Sequence, residues 1–147
     1  MPRIILLLAL VFFQLNFLKA QIDTEFWFAV PEVGQSLNEG TPRDRPIFLV
    51  FATLDEAATI QIWQPADLTF APIILNAAAN STAQINLTPF IERLESKPIN
   101  TVLNKGLLIR STAPITAYYD VRAQSNSDIF ALKGASANGT KFYVPFQ

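Results

Sequence analysis

The sequence contains no cysteine and no histidine in 147 residues. Without cysteine the fold holds by packing alone, with no disulfide and no thiolate chemistry. The absence of histidine removes the usual general base and the commonest transition-metal ligand, so neither a Ser-His-Asp nor a Cys-His site can be built. Charge is also scarce. Charged residues make up 16% of the chain, and the 11 basic and 12 acidic side chains leave a net charge of −1, which gives no electrostatic reason to expect a nucleic acid partner. With only 5 glycines there is no glycine-rich phosphate loop, and neither a G-x-S-x-G elbow nor a metal motif occurs. Nothing in the sequence calls for a cofactor.

What is abundant is hydrophobic surface. Half of the residues are hydrophobic, enough for one compact domain with its own core and too many for a disordered chain. Part of that content sits at the N-terminus. Residues 1–20 place Arg3 before an apolar run from Ile4 to Phe13 and end in Lys19 and Ala20, the layout of a secretory signal peptide. The run is well short of the roughly 20 residues that cross a bilayer. Cleavage after Ala20 is expected, leaving residues 21–147 as the domain, without a transmembrane span and with nine basic against twelve acidic residues.

The remainder reads as β. The runs 46–53, 58–64, 82–87, 106–111, 115–121, 128–133 and 141–146 are rich in β-branched and aromatic residues, and turn-forming groups such as "NAAANS", "STAP" and "QSNS" separate them. Ile60 and Ile62 alternate with Gln61 and Trp63, and Ile85 and Leu87 with Gln84 and Asn86, as in strands with one face on a core. "IFLVF" at 47–51 is apolar on both faces and reads as a central strand. In "DTEFWFAV" (Asp23 to Val30) alternation sets Phe26, Phe28 and Val30 on one face and Trp27 and Ala29 on the other, and the segment reads as a core strand covered on both sides. Burying each large aromatic there contributes about 2–3 kcal/mol. The helical signal is confined to "TPFIERLESK" (Thr88 to Lys97), with Thr88 as cap, Pro89 at the first position and Phe90, Ile91 and Leu94 on one side. An all-β, antiparallel β-sandwich of about seven to nine short strands follows.

The candidate chemistry is thin. Asp120 with Asp128, or Glu92 with Glu95, are possible carboxylate pairs, but no spacing selects either, and the second pair reads as a solvated face. Asp128 reads as a turn cap that accepts a backbone N–H, in preference to a calcium ligand beside Asn126 and Asp120. Gly106 reads as the residue that permits a tight reversal, and Pro114 as the one that fixes φ before the next strand. Trp63, Tyr118 and Tyr119 are the aromatics with a claim to ligand contact, by stacking on a sugar or anchoring a protein partner. Three N-x-S/T sequons lie at Asn80, Asn86 and Asn138.

These motifs, in this order, resemble the N-terminal domain family named after the IgGFc-binding protein, which is found in bacterial secreted proteins and animal mucus-associated proteins. Glu25, Phe26 and Trp27 match its opening element. Lys105, Gly106, Ile109, Ser111, Pro114, Ile115 and Tyr118 match its second, Asp128 its third, and Gly139, Thr140, Phe142 and Tyr143 its last. Asp23, Asn138 and Lys141 stand where the family favours glycine, leucine and glutamate. The resemblance spans nearly all of residues 21–147 and rests on packing and turn residues. It implies a secreted or cell-surface domain, of bacterial type, followed by further domains of the same chain. Together the expectation is a secreted, non-catalytic adhesion or binding module whose partner is an extracellular protein or a glycan, with a purely structural spacer as a further alternative.

Overall fold

The computed structural model describes residues 21–32, 43, 45–98, 100–124 and 126–135. The expected signal peptide, the strand-like run at 141–146 and the motif residues Gly139, Thr140 and Tyr143 lie outside the described residues. Seven strands are described: β1 (Ile22–Phe28), β2 (Ile47–Thr53), β3 (Ala58–Trp63), β4 (Ile73–Ala77), β5 (Thr82–Asn86), β6 (Leu107–Ala123) and β7 (Asn126–Ala131). Between β5 and β6 stand a 3₁₀ turn (Thr88–Phe90) and one turn of helix, α1 (Ile91–Leu94). The all-β antiparallel expectation holds, and among the described residues no helix is long and apolar enough to cross a membrane.

The pairing between the described strands is antiparallel and centres on β6, while an isolated bridge joins Val30 to Glu95 in parallel. One edge of β6 takes β3 at Leu108–Ser111 and β2 at Ile115–Val121. The other takes β1 between Leu107 and Thr116 and β7 at Tyr118–Ala123. With β4 outside β3 and β5 outside β2, the sheet has two four-stranded halves, β4-β3-β6-β1 and β5-β2-β6-β7. Residues 112–114 have no ladder partner on either edge, and Pro114, which has no N–H to offer, stands there without cost. The runs 106–111 and 115–121, expected as two strands joined by a "STAP" turn, are therefore one strand with a bend.

The bend is sharp. Phe28 pairs with Leu107, and in a straight strand Tyr119 would lie about 40 Å further along. Instead the Phe28 and Tyr119 rings are 4.9 Å apart. The two halves therefore fold onto each other as a sandwich around one core, to which Phe26, Ile60, Ile62 and Ile109 contribute from one half and Leu49 and Phe51 from the other. Odd-numbered residues of β6 point inward along both halves, from Leu107 to Ala123.

β1 keeps the expected alternation, with Phe26 and Val30 fully buried. Its other face is not covered by the described residues. Trp27 is 51% exposed, so the strand is one-sided, and the reading of Trp27 as a core residue is corrected. β2 is central, between β6 and β5, and its outer face is half-buried. β4 was not expected as a strand. The helical segment is short because Glu95 turns to extended backbone, ψ 141°. Ile91 and Leu94 nevertheless close one end of the core. Thr88 does not cap that segment; its hydroxyl accepts the N–H of Ile47 at 2.9 Å, tying the turn to the start of β2.

The two described glycines differ. A Cβ on Gly106 would meet nothing within 4 Å, so the expected steric need for glycine there is absent. At Gly134, which bridges Phe26, a Cβ would stand 2.3 Å from the Asp23 Cβ, while Asp23 Oδ2 accepts the Ala135 N–H at 2.8 Å. Only glycine fits between the first strand and the chain that follows β7. Gly134→Ala is expected to lower stability by about 1–3 kcal/mol, by overpacking against β1, whereas Gly106→Ala leaves it unchanged or slightly raised. Chemical denaturation of both variants beside the parent checks the contrast.

Candidate functional site

The outer face of the β4-β3-β6-β1 half is organised in rows by its register. Trp27, Leu108 and Trp63 lie side by side on β1, β6 and β3. One step along is the row Glu25, Arg110, Gln61 and Ile74. Beyond it Thr112 Oγ1 accepts the Thr59 N–H, and the Thr59 hydroxyl donates to Asn76 Oδ1 at 2.9 Å. Both tryptophans of the chain are thus on one face.

Charge on this face is internally paired. Arg110 Nε donates to Glu25 Oε2 at 2.8 Å, and Trp27 Nε1 donates to Glu25 Oε1 at 3.2 Å. The same guanidinium lies 5.5 Å from the centre of the Trp63 ring, a cation–π arrangement. Hydrogen bonds from Arg110, and then from Trp27, hold the Glu25 carboxyl below the usual carboxylate range. Trp63 is half-buried against the core beneath this arginine, while among the described residues none covers Trp27 in this way.

The tyrosines lie elsewhere. Tyr119 is 1% exposed, with its ring between Phe28 and Phe130, which leaves a ligand no ring face to reach. Tyr118 is half-buried on the outer face of the other half, in register with Val50 and Ala131. Ten residues of β6, roughly 33 Å of strand, separate it from Leu108. The structure brings Trp63 together with Trp27 and not with either tyrosine. On the Tyr118 half, Arg122 covers Phe48 at 4.1 Å from its ring centre and pairs with Asp120 at 2.6 Å.

The carboxylates do not assemble. Asp120 is in register with Ile129, and its neighbour Asp128 with Val121, so the two point to opposite faces of the sheet. Asp128 Oδ1 accepts the Ile129 N–H at 2.8 Å, a bond within β7 and not across the turn before it. Glu92 and Glu95 share Lys97 Nζ, at 2.9 and 2.7 Å, and hydrogen bonds to Glu95 first and Glu92 second push the lysine above its ordinary range. Glu92 is exposed but Glu95 is 2% exposed, so the pair is not the solvated face expected. Among the described residues no cluster of carboxylates could hold a metal ion.

Where β3 ends, just past Trp63, an open cleft of about 450 Å³ is lined by Gln64, Asp67, Glu92, Arg93, Asn104 and Lys105. Gln64 is buried and builds the cleft floor, its amide donating to the carbonyls of Arg93 and Lys105, both at 3.1 Å. Arg93 binds Asp67 at 2.6 Å and Thr69 at 2.8 Å. Hydrogen bonds from Thr69, then Arg93, bring the Asp67 pKa down to about 2. Asp67, Arg93, Glu92 and Lys105 are each engaged by a neighbour, which describes a structural clamp between loops.

No family model matches the chain, and no curated protein matches it. Among solved structures, "Crystal Structure of Thermotoga maritima 1070" aligns with a TM-score of 0.42 at 12% identity, covering 78% of this chain and 92% of that one. The Anabaena sensory rhodopsin transducer aligns with a TM-score of 0.38 at 18% identity, covering 72% and 91%. The site is accordingly read from its own geometry.

Two outcomes follow from the cleft. Because folding lowers the Asp67 pKa from 3.8 to about 2, the stability this group contributes is complete above the ordinary carboxylate range and is lost as pH falls from about 4 to about 2. Asp67→Asn should therefore be less stable than the parent at pH 6, with the gap closing toward pH 2 in acid-unfolding curves. Gln64→Met, which leaves two carbonyls without their donor, should cost about 1–3 kcal/mol by denaturant titration.

Proposed function

We propose that this protein is a secreted or cell-surface binding module without catalytic chemistry of its own, and that its ligand docks on the outer face of β1, β6 and β3 around Trp27. The observation that carries the reading is the half-exposed Trp27 ring, tied by its N–H to a carboxylate that Arg110 also holds. A large aromatic left open and oriented on a rigid sheet is the composition of a recognition hot spot, in which tryptophan and arginine are enriched. The secreted setting rests on the signal-like residues 1–20 and on the motif order shared with the IgGFc-binding protein N-terminal domain family. The absence of catalysis is supported by the histidine-free sequence and by acidic groups such as Glu25, Asp67 and Asp120 that are engaged in ion pairs.

Trp27→Ala separates recognition from packing. As a surface change it should shift stability by about 1 kcal/mol or less, while retention of the labelled full chain on cell-surface and matrix preparations falls at least about tenfold. A loss of more than about 3 kcal/mol in the variant would return Trp27 to the core, and unchanged retention would move the ligand face elsewhere.

A further inference from the structure

The rows on the β1-β6-β3-β4 face differ in chemistry in a way that selects a ligand. One is aromatic and apolar, the next holds an ion pair, an amide and Ile74, and the third presents Thr112, Thr59 and Asn76. The only charges in the three rows are Glu25 and Arg110, and they cancel. A face with no net charge offers nothing to an anionic polymer or a basic peptide. A protein partner would have to bury the Glu25–Arg110 pair at the centre of its interface, where arginine is common but acidic residues are depleted, so the carboxylate in the middle favours a ligand that keeps it hydrogen-bonded. A ligand with apolar C–H faces and many hydroxyls along its edges meets both features: the faces stack on indole, and the hydroxyls exchange hydrogen bonds with carboxylate, guanidinium and amide.

We infer that the face binds a neutral glycan chain, laid across the strands, with one sugar ring stacked on Trp27 and its hydroxyls bonded to Glu25 and Arg110. The inference rests on the binding role proposed above and names the ligand class for that same face. Trp63 acts as a positioning residue, since its ring carries Arg110. Trp27 and Trp63 stand on the two strands flanking β6, about 10 Å apart by strand spacing. That span exceeds a single sugar ring, so a chain of sugars stacked on Trp27 continues over Arg110, which Trp63 carries, and a monosaccharide does not.

The test is an isothermal calorimetric titration of the full chain with soluble neutral polysaccharides (hydroxyethylcellulose, xyloglucan, galactomannan and mixed-linkage glucan) and with the mono-, di-, tetra- and hexasaccharides of any that bind. The expected result is a binding heat with an affinity that rises at least about tenfold from mono- to tetrasaccharide. Trp27→Ala should abolish it and Trp27→Tyr, which keeps a ring, should restore most of it. Trp63→Leu and Glu25→Gln should each weaken binding several-fold, with unfolding curves recorded to show that the variants are folded. Absence of binding to every neutral glycan, or binding only to sulfated or uronate polymers, overturns the glycan inference. If Trp27→Ala still reduces retention on cell-surface or matrix preparations in that case, the binding role of the face survives. If Trp27→Ala changes neither measurement, both are overturned.

Discussion

Both halves of this sandwich depend on the backbone of one bent strand. β6 runs 17 residues, from Leu107 to Ala123, about three times the usual strand length, and four of the other six described strands pair directly with it. The bend lies where no ladder needs a hydrogen bond, at residues 112–114. That placement lets one edge of the strand change partners from β3 to β2, while β1 follows the other edge across the bend as far as Thr116 before β7 takes over at Tyr118. It also lets inward side chains keep one phase throughout, so Leu107 and Val121 join the same core although they belong to different halves. Register follows from this, because a slip of one residue on β6 would turn the inward row of both halves to solvent.

Alternation made much of this legible beforehand. The strands β3 and β5 are readable because apolar and polar residues change face at every step, as Ile60, Gln61 and Ile62 do, and β1 and β2 because each is a longer apolar and aromatic run. β4 is not, since its apolar run stops after Ile73, Ile74 and Leu75 and the following "NAAANS" is composed like a turn. Joining the two halves of β6 was equally out of reach. Serine, threonine and proline in "STAP" signal a reversal locally, and whether the chain reverses or only bends depends on partners that are distant in sequence. Period also says which way Trp27 points without saying what lies above it. The contact that characterises its surroundings joins Glu25 to Arg110, 85 residues away, and no local pattern encodes it. Gly134 is the converse case: an unremarked residue whose lack of a side chain is demanded by Asp23 at the other end of the described chain.

The two outer faces carry the same device with different results. On each, an arginine stacks on an aromatic ring and pairs with a carboxylate: Arg110 with Trp63 and Glu25, Arg122 with Phe48 and Asp120. Spreading a guanidinium over an aromatic hides the ring and keeps the charge wet, which serves solubility where a central strand such as β2 is apolar on both faces. On the β2 face the device is complete, and Arg122 also takes Gln84 Oε1 at 3.0 Å. On the β1 face it covers one of two tryptophans. Trp27 is left over, since Arg110 is held by Glu25 and lies over Trp63.

That remainder is ordered. Glu25 accepts from Arg110 on one oxygen and from the Trp27 indole on the other, so a single carboxylate sets both the guanidinium and the ring. A free tryptophan on a surface loses rotamer entropy when a ligand docks on it, and a side chain already held loses less. The carboxyl stays ionised below its ordinary range, which keeps this arrangement intact in mildly acidic surroundings as well as at neutral pH. Rigidity comes from the strand beneath: Phe26, on the opposite face of β1, and Val30, just past its end, are fully buried. The strand that anchors the described N-terminal end to the core is therefore also the one that holds the open ring in place, and the even spacing of a β-strand gives it both roles.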